Sequence, residues 1–499
     1  RGVRRPAAAA RGRWAAAAAL GRGGSGRSTR GAASAASALP ASGQRHGEED
    51  VVIGAGVVGV CTAYSLARQG RAVRVLDGRA GPGQGTTFIN GTLICPSLML
   101  PWTGPKMIPK LIRSFTDSEH PLKLHPRALA DPLLWRFGLH YLMSCRPGHF
   151  ERSTRRLARL ANYSRRCLDE LLAARPSLGP LMSRTAEGTL QVFESREAMQ
   201  GCLDASAQIR SAGVPLTVQS PDECGAAGAD ITRTLREQGK EAMYIFSGLD
   251  TNGDCHQFTR HLARACEELG VRFEYGASVS SFRRAPGGGV DVLLEGDRSV
   301  TAKNLVLCAG VGSPGLAAKL GLYLPMYPVK GYIITVPLRP GFQQLPCNVV
   351  QDSKKVYLAP MGRDSIRVSG CAEFAGFDAT VDPQRARQLL AQAAALMPGA
   401  LDTDRATFHA GLRPLSADDV PIIGMAGPQI FLNTGHGSKG WTHAFGSGQL
   451  VADLVAGRQP ALAAQAYGPG RFWPVRGGGE GRPRGGPAWA PLPRPTLAA

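Results

Sequence analysis

An α/β fold is what this sequence predicts, with one sheet of parallel strands assembled from distant pieces and interrupted by a second domain. Three stretches carry the expectation. The first, "EEDVVIGAGVVGVCTAYSLARQGRAVRVLD" (48–77), runs apolar strand, glycine-broken turn, helical pattern, second apolar strand. The last, "NTGHGSKGWTHAFGSGQL" (433–450), repeats strand–turn–helix after the β-prone "PQIFLN". Between them, "GDCHQFTRHLARACEELGVRFEYGASV" reads as helix then strand, and "NLVLCAGVGS" as a strand ending in small residues. Pieces of one alternating pattern so far apart mean a discontinuous domain with another inserted.

Size agrees. At 499 residues the chain exceeds one ordinary core, and two domains are expected. No apolar run approaches the ~18–20 residues of a membrane span. The net charge of +20 suggests nucleic acid or anionic lipid, but it is unevenly placed. Residues 1–47 hold nine Arg, no Lys and no acid, and 470–499 hold five Arg against one Glu, leaving about +7 for the body. Arg, Ala and Ser without acids describe an organellar transit peptide or a disordered tail. The expectation is cleavage and import into a mitochondrion, with a plastid as the alternative. Residues 469–499 read as a disordered Gly/Pro/Arg tail. Eleven Cys without a C-x-x-C argue against a disulfide framework or metal site and for a reducing compartment. No nucleic-acid-binding motif is present.

The opening unit explains its own residues. Val51–Ile53 form a buried strand, Val57–Arg68 a helix, and Ala72–Leu76 a second strand. Gly54, Ala55, Gly56, Val57, Val58 and Gly59 spell G-x-G-x-x-G. Gly54 permits the tight turn, Gly56 admits a pyrophosphate against backbone, and Gly59 packs helix on strand. The helix N-terminus offers unpaired N–H groups to phosphates, and Asp77, eighteen residues after Gly59, can accept ribose hydroxyls. This is a Rossmann-type dinucleotide site, and the motif alone does not separate NAD from FAD. A nicotinamide enzyme usually continues with more alternating units, whereas this chain breaks off into irregular "TTFINGTLICPSLMLPW". A helix follows over 152–174, with Leu157, Leu160, Ala161, Ser164, Leu168, Leu171 and Leu172 as its buried stripe. Its arginines fit a solvated face or a peripheral membrane contact.

Two later stretches carry candidate chemistry. "HGSKG" nearly matches the nucleophile elbow G-x-S-x-G, but His436 stands in place of the first Gly. The last histidine, His443, lies too near Ser438 to fold back as a base, so a serine hydrolase is excluded. In "AGLRPLSADDVPIIG", Arg413 sits between glycine and proline on an expected turn. Its guanidinium can clasp an α-carboxylate bidentately or lie on the surface. Tyr332 in "VKGYIIT" can hydrogen-bond a substrate or fill a core.

Over residues 50–468 the chain resembles the FAD-dependent D-amino-acid dehydrogenases of the D-amino-acid oxidase/glycine oxidase superfamily. The likeness is carried by "VVIGAGVVGV", "RLANYSRRCLDEL", "GTLQVF", "GDCHQFTRHLA", "YPVKGYIIT", "IRVSGCAEFAGFD", "GLRPLSADDVPIIG" and "LNTGHGSKGWTHAFGSGQL" in one order. The resemblance implies noncovalent FAD in a domain of 48–100, 151–180, 245–312 and 404–468. It implies an inserted α+β substrate domain of 101–150, 181–244 and 313–403 with a mostly antiparallel sheet. It places Thr86, Thr87, Asn90 and Val279 at the cofactor, and Gly435, His436, Gly437, Ser438, Gly440 and Trp441 against the isoalloxazine. His436 can equally be a space-filling neighbour. Arg413 matches the family's carboxylate-binding arginine. Lys439 stands where the family usually has an apolar residue. No general base is expected, because the flavin carries the reaction.

The implied reaction is oxidative deamination of D-amino acids to 2-oxo acids and ammonia, with electrons passed to a quinone or other acceptor. Within the class the alternatives are an O2-using D-amino-acid/glycine oxidase and a D-hydroxyproline or secondary-amine dehydrogenase. A flavin-binding protein without turnover is the non-enzyme alternative.

Overall fold

The computed structural model describes residues 49–472, apart from 105–106, 115–116 and 118–119. The stretch read as a transit peptide lies outside the described residues. The expected disordered tail is corrected at its start. Pro469–Phe472 forms a 3-10 turn, held where Arg471 Nε donates to Asp418 Oδ2 at 2.8 Å.

The opening unit forms as expected: strand Asp50–Ile53, helix Val57–Arg68, strand Val73–Asp77. All four residues of the first strand are buried: Val52 faces the helices, and Val51 and Ile53 face the cluster of Phe282, Val290 and Val292. Its sheet has six strands, in the order Arg272–Tyr275, Val73–Asp77, Asp50–Ile53, Asn304–Leu307, Ile430–Thr434, Ile422–Gly427. All neighbours are parallel except the last pair. Strands from three distant parts of the sequence thus meet in one Rossmann-type sheet. The chain between Tyr275 and Asn304 makes a separate three-stranded antiparallel sheet.

A second, larger sheet runs Thr407–Ser416, Met326–Pro337, Ser365–Phe374, Val356–Met361, Asn348–Gln351, Glu187–Phe193, Met243–Asn252, Leu93–Ile94. It is antiparallel except where Asn348–Gln351 pairs Glu187–Phe193 and where the short strand Leu122–Leu124 joins Ser365–Phe374. Helix Pro383–Leu396 covers it, packing Ala386, Leu389 and Leu390 against Tyr332, Ile334 and Val368. Three strands cross the boundaries drawn from the sequence: the short Leu93–Ile94, placed with the cofactor segment 48–100, pairs with Met243–Asn252 in the large sheet, and two longer strands do the same. Met243–Asn252 and Thr407–Ser416 were placed with the cofactor segments and pair instead in the large sheet. Each lies close in sequence to an element of the other layer, so no composition break marks the change.

Helix Pro147–Ala174 begins five residues before the expected start, with Pro147 at its first position, where a missing N–H costs nothing. Its buried residues include Leu157, Leu160, Ala161, Ser164, Leu168 and Leu171. Arg165 donates to Asp169 and to the Leu249 carbonyl, and Arg155 to Gln208, so these arginines serve the protein surface. The final helix, Gly440–Val455, fits between two others because it lacks side chains at two places. A Cβ at Gly446 would lie 2.8 Å from the Ser164 backbone, and one at Gly448 would lie 2.9 Å from that of Cys61. Close packing, not ligand contact, explains the second half of that glycine-rich stretch.

Candidate active site

A cavity of about 1070 Å³ runs from the carboxyl ends of the parallel strands to the face of the large sheet. That exceeds an ordinary single-ligand pocket and suits a long cofactor with a small substrate beyond it.

At its inner end the first glycine turn divides its labour. Gly54 has φ +107°, and a Cβ there would stand 2.6 Å from the Cys308 carbonyl oxygen. A Cβ at Gly59 would stand 1.8 Å from the Gly54 oxygen, so both glycines are required by packing. Gly56 differs. A Cβ there meets only Thr87 Oγ1, at an ordinary 3.4 Å, so the free space it leaves faces the cavity. Asp77 accepts the Ala55 N–H at 2.7 Å and the Arg79 N–H at 2.8 Å, fixing the turn while it lines the cavity with Val57 and Val58. Thr87 Oγ1 accepts the Val57 N–H at 3.1 Å, and Thr86 Oγ1 donates to the Leu412 carbonyl at 2.8 Å. The loop 86–90 therefore ties the helix N-terminus to the strand that carries Arg413. Asn90 Oδ1 takes the Thr92 N–H at 2.8 Å, and Asn90 and Val279 both line the cavity.

The second turn closes over the middle. Gly435 and Gly437 have φ of +76° and +55°, and Gly435, His436, Gly437, Ser438, Gly440 and Trp441 all line the cavity. His436 is buried, with Nε2 3.2 Å from Ser447 Oγ, and burial pulls its pKa down to about 3. Such an imidazole stays neutral and takes no proton at physiological pH. Lys439 is also buried, and its charge is met by Asp419. The same carboxylate accepts the Trp102 N–H at 2.8 Å, so the lysine at this unusual place holds a wall of the cavity.

At the outer end stands Arg413. The structure corrects its setting: it lies within strand Thr407–Ser416, not on a turn, because that strand pairs with Met326–Pro337 along its whole length. Its guanidinium crosses the neighbouring strand at Gly331, where a Cβ would lie 2.1 Å from one terminal nitrogen. Beyond Gly331 it donates to the Cys371 carbonyl at 2.6 Å and the Gly370 carbonyl at 3.2 Å. Consecutive strand carbonyls normally point apart. Here Cys371 takes φ +55° where the pairing slips by one residue, and both carbonyls reach one side chain. The Trp102 ring lies 5.5 Å from the guanidinium carbon. Burial lowers the Arg413 pKa, with Tyr357 and Cys371 opposing. No carboxylate pairs with it among the described residues. Tyr332, by contrast, is a core residue, donating to Glu373 at 3.3 Å.

Sequence reasoning missed Gly331, Cys371, Trp102 and Tyr357. Tyr357 lines the cavity and donates to Asp352 at 2.8 Å, which also takes Lys355 at 2.7 Å. Gly331 was findable, since glycine inside a strand marks a close approach. The others give no local signal.

The family model described as FAD dependent oxidoreductase matches residues 51–454. The chain belongs to this family. Its cofactor is FAD, and the residues present fit it: Gly56 leaves room at a helix N-terminus, where a Cβ would meet only Thr87 Oγ1. Among the described residues, Trp441 Nε1 and Asn433 Oδ1 are buried without a hydrogen bond, and both residues line the cavity. A relative named D-amino acid dehydrogenase, from Paramagnetospirillum magneticum, is 39% identical over 425 residues, covering 85% of this chain and 98% of that one. Glycine oxidase from Geobacillus kaustophilus shares the fold at TM-score 0.64 and 18% identity, covering 85% of this chain and 98% of that one. L-proline dehydrogenase from P. horikoshii does so at 0.65 and 19%, covering 86% and 98%.

The relatives also overturn an expectation. The acid-free first segment suggested a transit peptide and a mitochondrial or plastid address. The curated relatives at 35–39% identity come from bacteria, with no sign of organellar targeting. Arg, Ala and Ser bias is a property of composition and does not by itself encode an address.

Proposed function

We propose that this family member deaminates D-amino acids oxidatively to 2-oxo acids and ammonia, passing electrons to a quinone or another acceptor. The observation that carries this reading is Arg413, a partly buried cation across the cavity from the Gly56 turn, with no carboxylate paired to it among the described residues. Such a group waits for an anionic ligand, and a planar fork suits a carboxylate. The D configuration is carried over from relatives named D-amino acid dehydrogenase.

FAD, held noncovalently, supplies the acceptor for the hydride from the substrate Cα–H. The chain's own residues bind and orient. Gly54, Gly56, Val57, Val58 and Asp77, which line that part of the cavity, take the adenosine diphosphate half, while Ala55 and Gly59 shape the turn behind them. Thr86, Thr87, Asn90, Val279 and the 435–441 turn take the flavin half. The six-stranded sheet with its helices forms the cofactor domain and the large sheet the substrate domain. Arg413 fixes the carboxylate, with Gly331 and the two carbonyls at 370–371 setting the direction of its fork. His436, neutral and bonded to Ser447, offers no base, so the substrate amine arrives deprotonated from solvent.

The test is direct. Purified protein should be yellow, and D-alanine without oxygen should bleach it while L-alanine should not. A yellow protein that neither enantiomer reduces would remove the proposed substrate class.

A further inference from the structure

Past Arg413 the cavity continues across the large sheet. The guanidinium ends at Gly370 on strand Ser365–Phe374. The next strand, one spacing of about 4.8 Å away, brings Tyr357 to the cavity wall, paired with Ser369. Asp352 and Lys355 follow, in the turn between strands Asn348–Gln351 and Val356–Met361. Gln191 and Phe193 line the wall on the strand after those. Helix Arg196–Ala205 closes the far end with small residues. Its Cys202 lies near enough to Asp352 and Lys355 to feel both charges, and a Cβ at Gly201 would meet nothing within 4 Å. A substrate held by Arg413 and carrying only a methyl group leaves all this space to water.

The polar groups there leave a defined opening. Lys355 Nζ and Tyr357 Oη both donate to one oxygen of Asp352, Oδ1, at 2.7 and 2.8 Å. The other oxygen, Oδ2, accepts no hydrogen bond among the described residues, and an ammonium has three hydrogens to give. Both partners are charged. Burial would raise the Asp352 carboxyl, but Lys355 and the two hydrogen bonds hold it below its usual range. Burial would lower Lys355, yet Asp352 drives it up. A hairpin tip ordinarily points its charges to water. Here Lys355 takes φ +55°, a conformation uncommon without glycine, and both heads line the cavity. Charge decides what such a pair receives. Once Arg413 holds an α-carboxylate, Asp352 and Lys355 balance each other, and a charged head would bring one charge unmatched. Lys110 also lines the cavity and reaches Asp352 with its charge, but from an exposed position where solvent weakens it. A neutral group that donates and accepts at once fits, and an amide does both: its NH2 to Asp352 Oδ2, its oxygen from Lys355 Nζ. We propose that Asp352 and Lys355 select substrates whose side chain ends in a carboxamide, of glutamine's kind rather than alanine's. The proposal rests on Arg413 holding the α-carboxylate, as in the function proposed above.

Binding is measured first and turnover second. Glutaramate, glutarate and 5-methylhexanoate share one shape and lack the amine, so none of them can be deaminated. Each is titrated calorimetrically into the flavin-loaded full chain. Glutaramate should bind about tenfold or more tighter than either of the others, the scale of one hydrogen bond to a charged group. In the double variant Asp352→Ser/Lys355→Ser the three should bind within about threefold of one another, whatever happens to affinity in general. Glutaramate that binds the parent no tighter than the others, or not at all, overturns the proposal, and this result needs no variant to fold. A preference that survives in the double variant overturns it too. In turnover, D-glutamine should bleach the flavin with a higher kcat/KM than D-alanine, and the reverse order also counts against the pocket. If glutaramate keeps its preference while no D-amino acid bleaches the flavin, the amide pocket stands and the deamination reading falls.

Discussion

The two ends of the cavity are built from different materials. The inner end is backbone, the glycine turn at 54–59 with a helix N-terminus behind it, and a second such turn at 435–440 continues it over the middle. The outer end is side chain: Arg413, Trp102 and Tyr357, brought together from three separated segments. Backbone sites need residues to be absent, so one added Cβ destroys them. Side-chain sites need a charge held in one direction, so they fail by degrees. The contrast orders the expected effects.

The largest effect belongs to the inner end. Gly56→Val introduces a branch where the protein itself leaves space, with the Thr87 hydroxyl 3.4 Å from the new Cβ. The variant should fold with an unchanged circular dichroism spectrum and melt cooperatively, but purify without flavin. A fully yellow Gly56→Val protein would mean that the space serves something other than the cofactor.

The outer end should respond in graded fashion. Removing one member of a buried ion pair costs about 3–5 kcal/mol, which is about two to four powers of ten in kcat/KM. Arg413→Leu should lose that much with its flavin spectrum intact, and Arg413→Lys should recover only part, lacking the fork. Gly331→Ala places a methyl 2.1 Å from the guanidinium and should raise KM about ten- to a hundredfold by turning it. The double variant Gly331→Ala/Arg413→Leu should be no worse than Arg413→Leu alone, since both act through one group. Additive losses would mean that Gly331 matters for the sheet and not for the arginine.

The same contrast explains what the sequence disclosed. Both backbone turns were legible, because glycine spacing beside an apolar strand is a local signal, and the Rossmann-type sheet followed from them. Arg413 was legible as a candidate carboxylate clasp but not in its setting; its place within a strand, its Gly331 cradle and the slipped pairing at Cys371 depend on partners 42 to 82 residues away. Trp102 lies further still, held by Asp419 from the far end of the chain. Lys439 could be noticed as a misfit in an apolar turn, but not paired. Charge led reasoning astray at the first segment, where composition was taken for an address.

The smallest effect lies between the two ends and tests whether the middle turn is as inert as its packing suggests. His436 is buried against Ser447, and burial holds its pKa at about 3, below the 6.5 of a free imidazole. The unfolded chain therefore binds a proton below about pH 6.5 that the folded chain refuses until about pH 3. The resulting stability is present above pH 6.5 and lost as pH falls through that window, at about 1.4 kcal/mol per pH unit for one group. His443, buried nearby with its pKa also driven down by burial, adds to the same slope. His436→Gln should thus be less stable than the parent at pH 7.5, through its lost packing, with the gap narrowing by about 1 kcal/mol at pH 5.5. Chemical denaturation at the two pH values measures this, and subtracting the parent cancels the carboxylates that titrate in both proteins. If the gap stays constant, His436 is already charged or solvated in the folded state. It could then exchange a proton with the substrate amine, and the backbone end of the cavity would no longer be free of titrating chemistry.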